Sequence, residues 1–192
     1  MYRSLKVNTA AVNPLFTTAQ AKAHLKVDVT EDDTIIDNII LAATQSCEIF
    51  TNQYFIDTVV TQYSDTWDGF YRLYKSPVSA ITHVKYYDSD DSLQTLASSN
   101  YILDGTSKPA RIGIAIDGEL PNLSNRINAV EVKYTVGYGA ESTDVPEGIR
   151  QAVLLTLSNW YENRQSVITG RTATELPLSS QYLLEQYKIQ VC

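Results

Sequence analysis

The sequence predicts an α+β protein: a mainly α-helical bundle of about four helices, with an antiparallel β domain inserted between the second and third helices. Two patterns indicate this. Apolar residues recur at helical spacing towards both ends of the chain, whereas β-branched and aromatic residues, separated by turn residues, fill the middle. We therefore divide the chain into N-terminal helices (1–53), an inserted β domain (54–143) and C-terminal helices (144–192).

Two helices are predicted in the first segment. Thr17 and Gln20 have the spacing of a capping box, and Thr30 with Asp33 repeats it before the second helix. In that second helix, apolar residues at intervals of three and four form one broad face from Ile35 to Phe50. This face should belong to the core.

The inserted domain is predicted from strand-like runs separated by Asp, Ser and Gly clusters. In the last run, apolar residues occupy every second place, which is typical of an antiparallel strand with one wet face. The predicted strands are Tyr54–Tyr63, Phe70–Tyr74, Ile81–Tyr87, Tyr101–Leu103, Arg111–Ile116 and Val130–Val136.

Helices return in the last segment. Pro146 followed by Glu147 is a typical helix start, and an apolar stripe follows. A polar stretch from Asn163 to Thr174 is predicted to be a mobile loop, and a short helix is expected at 177–187. Cys47 lies within the helical apolar pattern, so a buried free thiol is expected there rather than a disulfide.

Composition and charge limit the function classes. Apolar residues make up 44% and charged residues 19% of the chain, as in ordinary folded proteins. No apolar run suits a membrane helix, and Met1–Lys6 lacks the apolar core of a secretory signal. A net charge of −7 argues against binding to duplex DNA, which needs Lys and Arg to neutralise phosphates.

The motifs of common enzyme classes do not occur in the sequence, so we expect no catalytic residue, no cofactor and no metal site. His24 and His83 lie in different predicted elements, without other ligands at metal-binding spacing. The run Asp88–Asp91 has Leu93 where a calcium loop needs glycine, so a hairpin turn is the better interpretation.

Several strings, in order along roughly residues 15 to 188, resemble those of the head-tail connector (adaptor) proteins of tailed bacteriophages, which form the ring beneath the portal. The first is a pair of N-terminal helices with an acidic second start, and the others are a proline-led strand ending in paired aromatics and a strand, glycine turn and proline-started helix. These strings are Thr18–Val27 with Asp32–Ile36, Ser76–Asp88, and Val132–Gly139 with Val145–Ala152 and Tyr161–Arg164.

The resemblance implies a non-catalytic virion protein of the phage neck that is assembled in the host cytoplasm. A homo-oligomeric ring of about twelve copies would bind the portal protein, extend the DNA channel and dock the next neck component, a stopper or tail terminator. Viral DNA would pass through the lumen without specific binding, because acidic walls repel phosphate. No membrane partner is expected.

Residues 177–192 are predicted to be a portal-binding arm. Tyr182, Leu183, Leu184, Tyr187 and Lys188 would give its helix an apolar face that has no fixed partner in a free subunit. The resembling family usually has Arg where this chain has Lys188.

Contacts between subunits are predicted at the end of the third helix, at Trp160, Tyr161, Glu162 and Arg164, and on the wet face of the inserted β domain. A core position for Trp160 and a solvated Arg164 are an equally good interpretation.

Two other function classes stay open. Thirteen tyrosines would also suit a carbohydrate or host-surface binding module of a virion, because aromatic rings stack on sugars as well as anchoring protein interfaces. A hydrolase is the weaker alternative, since Ser, Asp and His show no recognisable catalytic spacing.

Overall fold

The chain folds into two units, each built from separate parts of the sequence. The computed structural model describes residues 4–67, 69–163, 167–168, 171–172 and 176–190. The α unit consists of Asn13–Ile56 and Gly139–Lys188, and the β unit consists of Asp57–Tyr138 with the segment ending at Val12 and the residues from Ile189. Within the described residues, antiparallel strands lie between the second and third of four helices, which confirms the predicted α+β class.

The helices are amphipathic as predicted, but Ile35, which was placed at the start of the buried face of α2, is 40% exposed. Ile36, Ile40 and Cys47 are buried at four- and seven-residue intervals. The predicted first capping box is confirmed, because the Gln20 amide donates to Thr17 Oγ1 at 3.3 Å and the Thr17 amide donates to Gln20 Oε1 at 2.9 Å. The helices are α1 (Thr18–Leu25), α2 (Asp33–Thr51), α3 (Glu147–Glu162) and α4 (Leu178–Glu185).

The second predicted capping box is wrong. Thr30 lies in a turn before α2, where its backbone carbonyl, not its side chain, accepts a bond from the Asp33 amide at 3.1 Å. Asp32 precedes the helix and makes no side-chain bond to its first turn. The Tyr161 hydroxyl of α3 donates to Asp32 Oδ2 at 2.6 Å instead, so this carboxylate links two helices.

The described residues of the β unit form two antiparallel sheets. The five-stranded sheet has the order β1-β2-β8-β4-β5, and the three-stranded sheet has the order β3-β7-β6. The predicted alternation along β8 is confirmed, since its first, third, fifth and seventh residues are fully buried. The strands are β1 (Ser4–Thr9), β2 (Thr58–Ser64), β3 (Phe70–Arg72), β4 (Val78–Tyr87), β5 (Leu93–Leu96), β6 (Tyr101–Asp104), β7 (Arg111–Ile114) and β8 (Val130–Val136).

Two strands of the β unit were not predicted, and both are edge strands of the five-stranded sheet. Residues 4–9, assigned to the helical segment 1–53, form β1 and pair with β2; five of the six residues of β1 are exposed. Three of the four residues of β5 are exposed as well. Strands held mainly by backbone bonds on one side need no apolar alternation, so their sequences carry little signal.

A further short hairpin in the α unit pairs β9 (Val167–Ile168) with β10 (Arg171–Thr172). This hairpin lies within the stretch Asn163–Thr174, which was predicted to be a mobile loop. Of that stretch, the structure describes only Asn163 and the four hairpin residues.

Candidate functional site

One side of α4 belongs to the core of the α unit. Ser180 and Leu184 are fully buried. The Ser180 hydroxyl lies 3.0 Å from the Ala152 carbonyl and 3.0 Å from Thr156 Oγ1, both on α3. The prediction that α4 has an apolar face without a fixed partner is therefore wrong for this side, because α3 already covers it.

The opposite side of α4 is exposed. Leu178 is 82% exposed and Tyr182 is 84% exposed. A spacing of four residues places both side chains on one helix face, one turn apart. We call Leu178 and Tyr182 the α4 ridge. Leu178 was not among the predicted contact residues, although its helical spacing to Tyr182 was a usable signal.

The chain after α4 is attached to the end of α2. The buried Gln53 side chain donates to the Tyr187 carbonyl at 2.9 Å. The Lys188 ammonium lies 4.6 Å from the centre of the Phe50 ring, a cation–π distance. These contacts fix where α4 ends relative to α2.

The five predicted portal-binding residues therefore differ in their exposure to solvent. Tyr182 and Lys188 are exposed, Leu183 and Tyr187 are half-buried, and Leu184 is buried. Tyr182 carries the exposed aromatic surface of this set, and the Lys188 ammonium already contacts an aromatic ring of α2.

The residues predicted to form subunit contacts at the end of α3 also differ in their exposure. Trp160 is half-buried and Glu162 is exposed. Tyr161 is half-buried and its hydroxyl donates to Asp32, so it has a role within the α unit. Arg164 lies outside the described residues.

The buried thiol of α2, Cys47, is unreactive at neutral pH. Cys47 is fully buried, as predicted, and its sulfur lies 3.9 Å from Thr156 Oγ1. Burial raises the pKa of Cys47 to about 12. The thiol is therefore protonated at neutral pH and is a poor nucleophile.

Two ionisable side chains that the sequence singled out in the β unit, His83 and Asp88, have structural partners. His83 Nε2 on β4 lies 2.8 Å from Glu131 Oε1 on the neighbouring strand β8. Asp88 accepts from the Ser92 amide at 2.9 Å in the β4–β5 hairpin, which confirms the predicted turn.

In the part of the chain that the structure describes, no group of three or more His, Cys, Asp or Glu side chains could hold a metal ion. None of the described helices has the length and hydrophobicity needed to cross a bilayer.

The fold is similar to that of chains in gene transfer agent particles. A chain in the neck of an empty particle, computed with C6 symmetry, superimposes with a TM-score of 0.80 at 22% identity, covering 98% of this chain and 97% of that chain. This chain has the fold of a particle neck chain. A chain in the virion of the native gene transfer agent particle superimposes with a TM-score of 0.81 at 21% identity, covering 98% of this chain and 96% of that chain.

A chain in the neck of the native particle, computed with C12 symmetry, gives a TM-score of 0.79 at 20% identity, over 98% and 97% of the two chains. No protein-family model matches the sequence, and comparison with curated proteins gives no match. The similarity is therefore one of fold, and it extends over almost the full length of both partners.

Proposed function

We propose that the protein is a structural head-tail connector subunit of a phage-like neck. About twelve copies would form a ring that binds the portal, extends the DNA channel and docks the next neck component. The observation that carries this proposal is the near-complete coverage of both chains in the match to the neck of a gene transfer agent particle. The resemblance of the sequence strings to phage connectors supports it independently.

The electrostatics of the chain suit a channel component. With a net charge of −7, a ring of many copies is strongly acidic. Acidic groups at the lumen repel the phosphates of passing DNA and prevent the contacts that would slow its exit. The proposed role is therefore one of assembly and passage, with no bond made or broken.

The α4 ridge is the best-supported portal contact. Its two side chains are exposed on a helix whose opposite side is fixed in the core by Ser180 and Leu184. A rigid helix that presents an aromatic and an aliphatic side chain is a common way to fill a groove on a partner.

The function is tested by incubating the purified protein with portal rings of the same particle and imaging the mixture by electron microscopy. The expected result is an additional ring of density on the portal, with a mass increase of about twelve subunits. Portal rings that stay bare at saturating protein concentration would contradict the proposal.

The portal contact is tested with the variant Tyr182→Ala, because removal of the whole arm would also uncover the core of α3. Since Tyr182 is 84% exposed, the free energy of unfolding should change by less than about 0.5 kcal/mol. Affinity for the portal should fall by about tenfold or more, as for an interface tyrosine.

The matched control is Ile49→Ala, which removes a 77% exposed apolar side chain from α2 of the same unit. It should leave portal affinity unchanged. If both variants bind the portal like the wild type, the α4 ridge is not the contact, whatever the function of the ring.

A further inference from the structure

The three-stranded sheet has one exposed face that is ordered in two rows. Residues paired directly across strands point to the same side of a sheet, and the side alternates along each strand. The register therefore places three residues in an apolar row and three in a charged row on this face, which we call the Phe70 face. It consists of Phe70, Gly113 and Ile102 in the first row and of Arg72, Arg111 and Asp104 in the second.

The first row is an exposed apolar strip. Phe70 is 64% exposed and Ile102 is 58% exposed. Between them, a Cβ atom on Gly113 would come within 3.1 Å of the Phe70 ring. Glycine at this place on β7 therefore allows the ring to lie close to the backbone.

The second row carries excess positive charge. Arg111 Nε donates to Asp104 Oδ2 at 2.9 Å, and the Arg111 guanidinium lies 5.1 Å from the centre of the Phe70 ring. Arg72 is exposed, and no carboxylate of the described residues forms an ion pair with it. Two arginines against one aspartate distinguish this face in a chain whose net charge is −7.

The β unit also presents a surface of complementary charge. The turn between β4 and β5, which we call the acidic turn, contains Asp88, Asp90 and Asp91. The amides of Asp90 and Ser92 donate to Asp88 Oδ1 at 3.0 and 2.9 Å, so the turn has a fixed shape. Asp91 pairs with Arg126 at 3.0 Å, while the exposed Asp90 stands at the tip.

We propose that the Phe70 face binds the acidic turn of a second copy of this chain. The inference rests on the proposed ring, because two different surfaces of one chain that meet head to tail are the contact from which rings are built. The charged row attracts and orients the turn of the neighbouring copy, and the apolar row adds surface that is removed from water. A subunit thus carries both halves of the contact.

Charge reversal tests this pairing directly. In a ring, each chain uses its Phe70 face in the contact with one neighbour and its acidic turn in the contact with the other. The variants are Arg72→Glu, Asp90→Arg and the double variant with both changes. Self-association is measured by sedimentation velocity over a range of protein concentrations, without portal. Each single reversal should weaken self-association by about tenfold, and the double variant should restore most of the loss because opposite charges face each other again.

Lys6→Glu is the matched control, since it reverses an exposed cation on β1 of the same unit and outside the Phe70 face. It should self-associate like the wild type. Single reversals that also associate like the wild type would overturn the inference, and so would a double variant no better than the singles.

The outcome is distinguishable from failure of the proposed function. Rings that form on the portal with all three variants would leave the connector role intact and refute the pairing. Self-association that follows the charge pattern in a protein that ignores the portal would support the pairing and refute the connector role.

Discussion

The α unit and the β unit satisfy their buried polar side chains in different ways. In the α unit, the buried hydroxyl groups of Thr51 and Thr156 bond to the helix that carries them, whereas that of Ser180 on α4 bonds to α3. Thr51 Oγ1 donates to the Cys47 carbonyl at 2.8 Å, and Thr156 Oγ1 donates to the Ala152 carbonyl at 2.9 Å. Such bonds form as soon as the helix forms and do not depend on the packing of other elements.

In the β unit, one buried side chain connects several strands. Gln62 of β2 is 1% exposed, and its Nε2 donates to the Arg72 carbonyl of β3 at 2.8 Å. Its Oε1 accepts from the Tyr74 amide at 3.0 Å and from the Tyr134 hydroxyl of β8 at 3.2 Å. Gln62 therefore joins the two sheets of the unit.

The contrast shows where each unit is vulnerable. A local side-chain bond can be lost without disturbing other elements, because the helix keeps its own backbone bonds. A side chain that satisfies groups on several strands is different, since its removal affects buried groups on all of them at once. The β unit should therefore be the more sensitive of the two to single polar substitutions.

The largest effect is expected for Gln62→Leu. This variant removes the three side-chain hydrogen bonds of Gln62 described above, at a buried position, so the free energy of unfolding of the β unit should fall by about 3 kcal/mol. The measurement is urea unfolding followed by the fluorescence of Trp67, a residue of the β unit, in a Trp160→Phe background.

Gln45→Leu is the control for this substitution, because it makes the same chemical change at an exposed position of α2. Its effect should stay within about 0.5 kcal/mol. A Gln62→Leu protein as stable as the control would show that the polar network does not hold the sheets together.

A smaller effect is expected for Thr156→Val in the α unit. The variant loses a hydroxyl, but Ser180 keeps its bond to the Ala152 carbonyl at 3.0 Å. The free energy of unfolding should fall by about 1 kcal/mol. Unfolding is followed by Trp160 in a Trp67→Phe background, and a loss as large as that of Gln62→Leu would contradict the contrast between the units.

The same contrast explains what the sequence could predict. The buried faces of α2 and α3 and the alternation along β8 come from the period of a single element, so the sequence alone contains the signal. The bonds of Gln62 join residues 10 to 72 positions apart, and no period records such pairing.

The candidate site was predictable only in part for a related reason. The apolar pattern of α4 identified an amphipathic helix, but periodicity does not say whether the partner of a face lies in the same chain. Leu184 proved to be buried, and Tyr182 proved to be exposed. A subunit contact on the wet face of the inserted domain was predicted, but the residues of the Phe70 face were not, because that face depends on the register of three strands, two of which are four residues long.

The smallest effect is expected at a local bond of the β unit, and it tests whether the contrast applies to the surface as well. Asp104 accepts from the Ser107 hydroxyl at 2.7 Å and from Arg111 at 2.9 Å. The Ser107 and Arg111 bonds lower the pKa of Asp104 from its ordinary 3.8 to about 2. Since the folded state favours the charged form, this contribution to stability is complete above about pH 4 and is lost as pH falls through about 2.

Asp104→Asn should remove this pH dependence. Between pH 4 and pH 2, the thermal midpoint of the wild type should fall more than that of the variant, and the two should differ least at the acid end. Because the carboxyl group lies at the surface, the difference should be smaller than either effect above. If the thermal midpoints of the two proteins fell by the same amount over this range, the Asp104 charge would not contribute to stability. The stability of the β unit would then depend on the bonds of Gln62 rather than on this local bond.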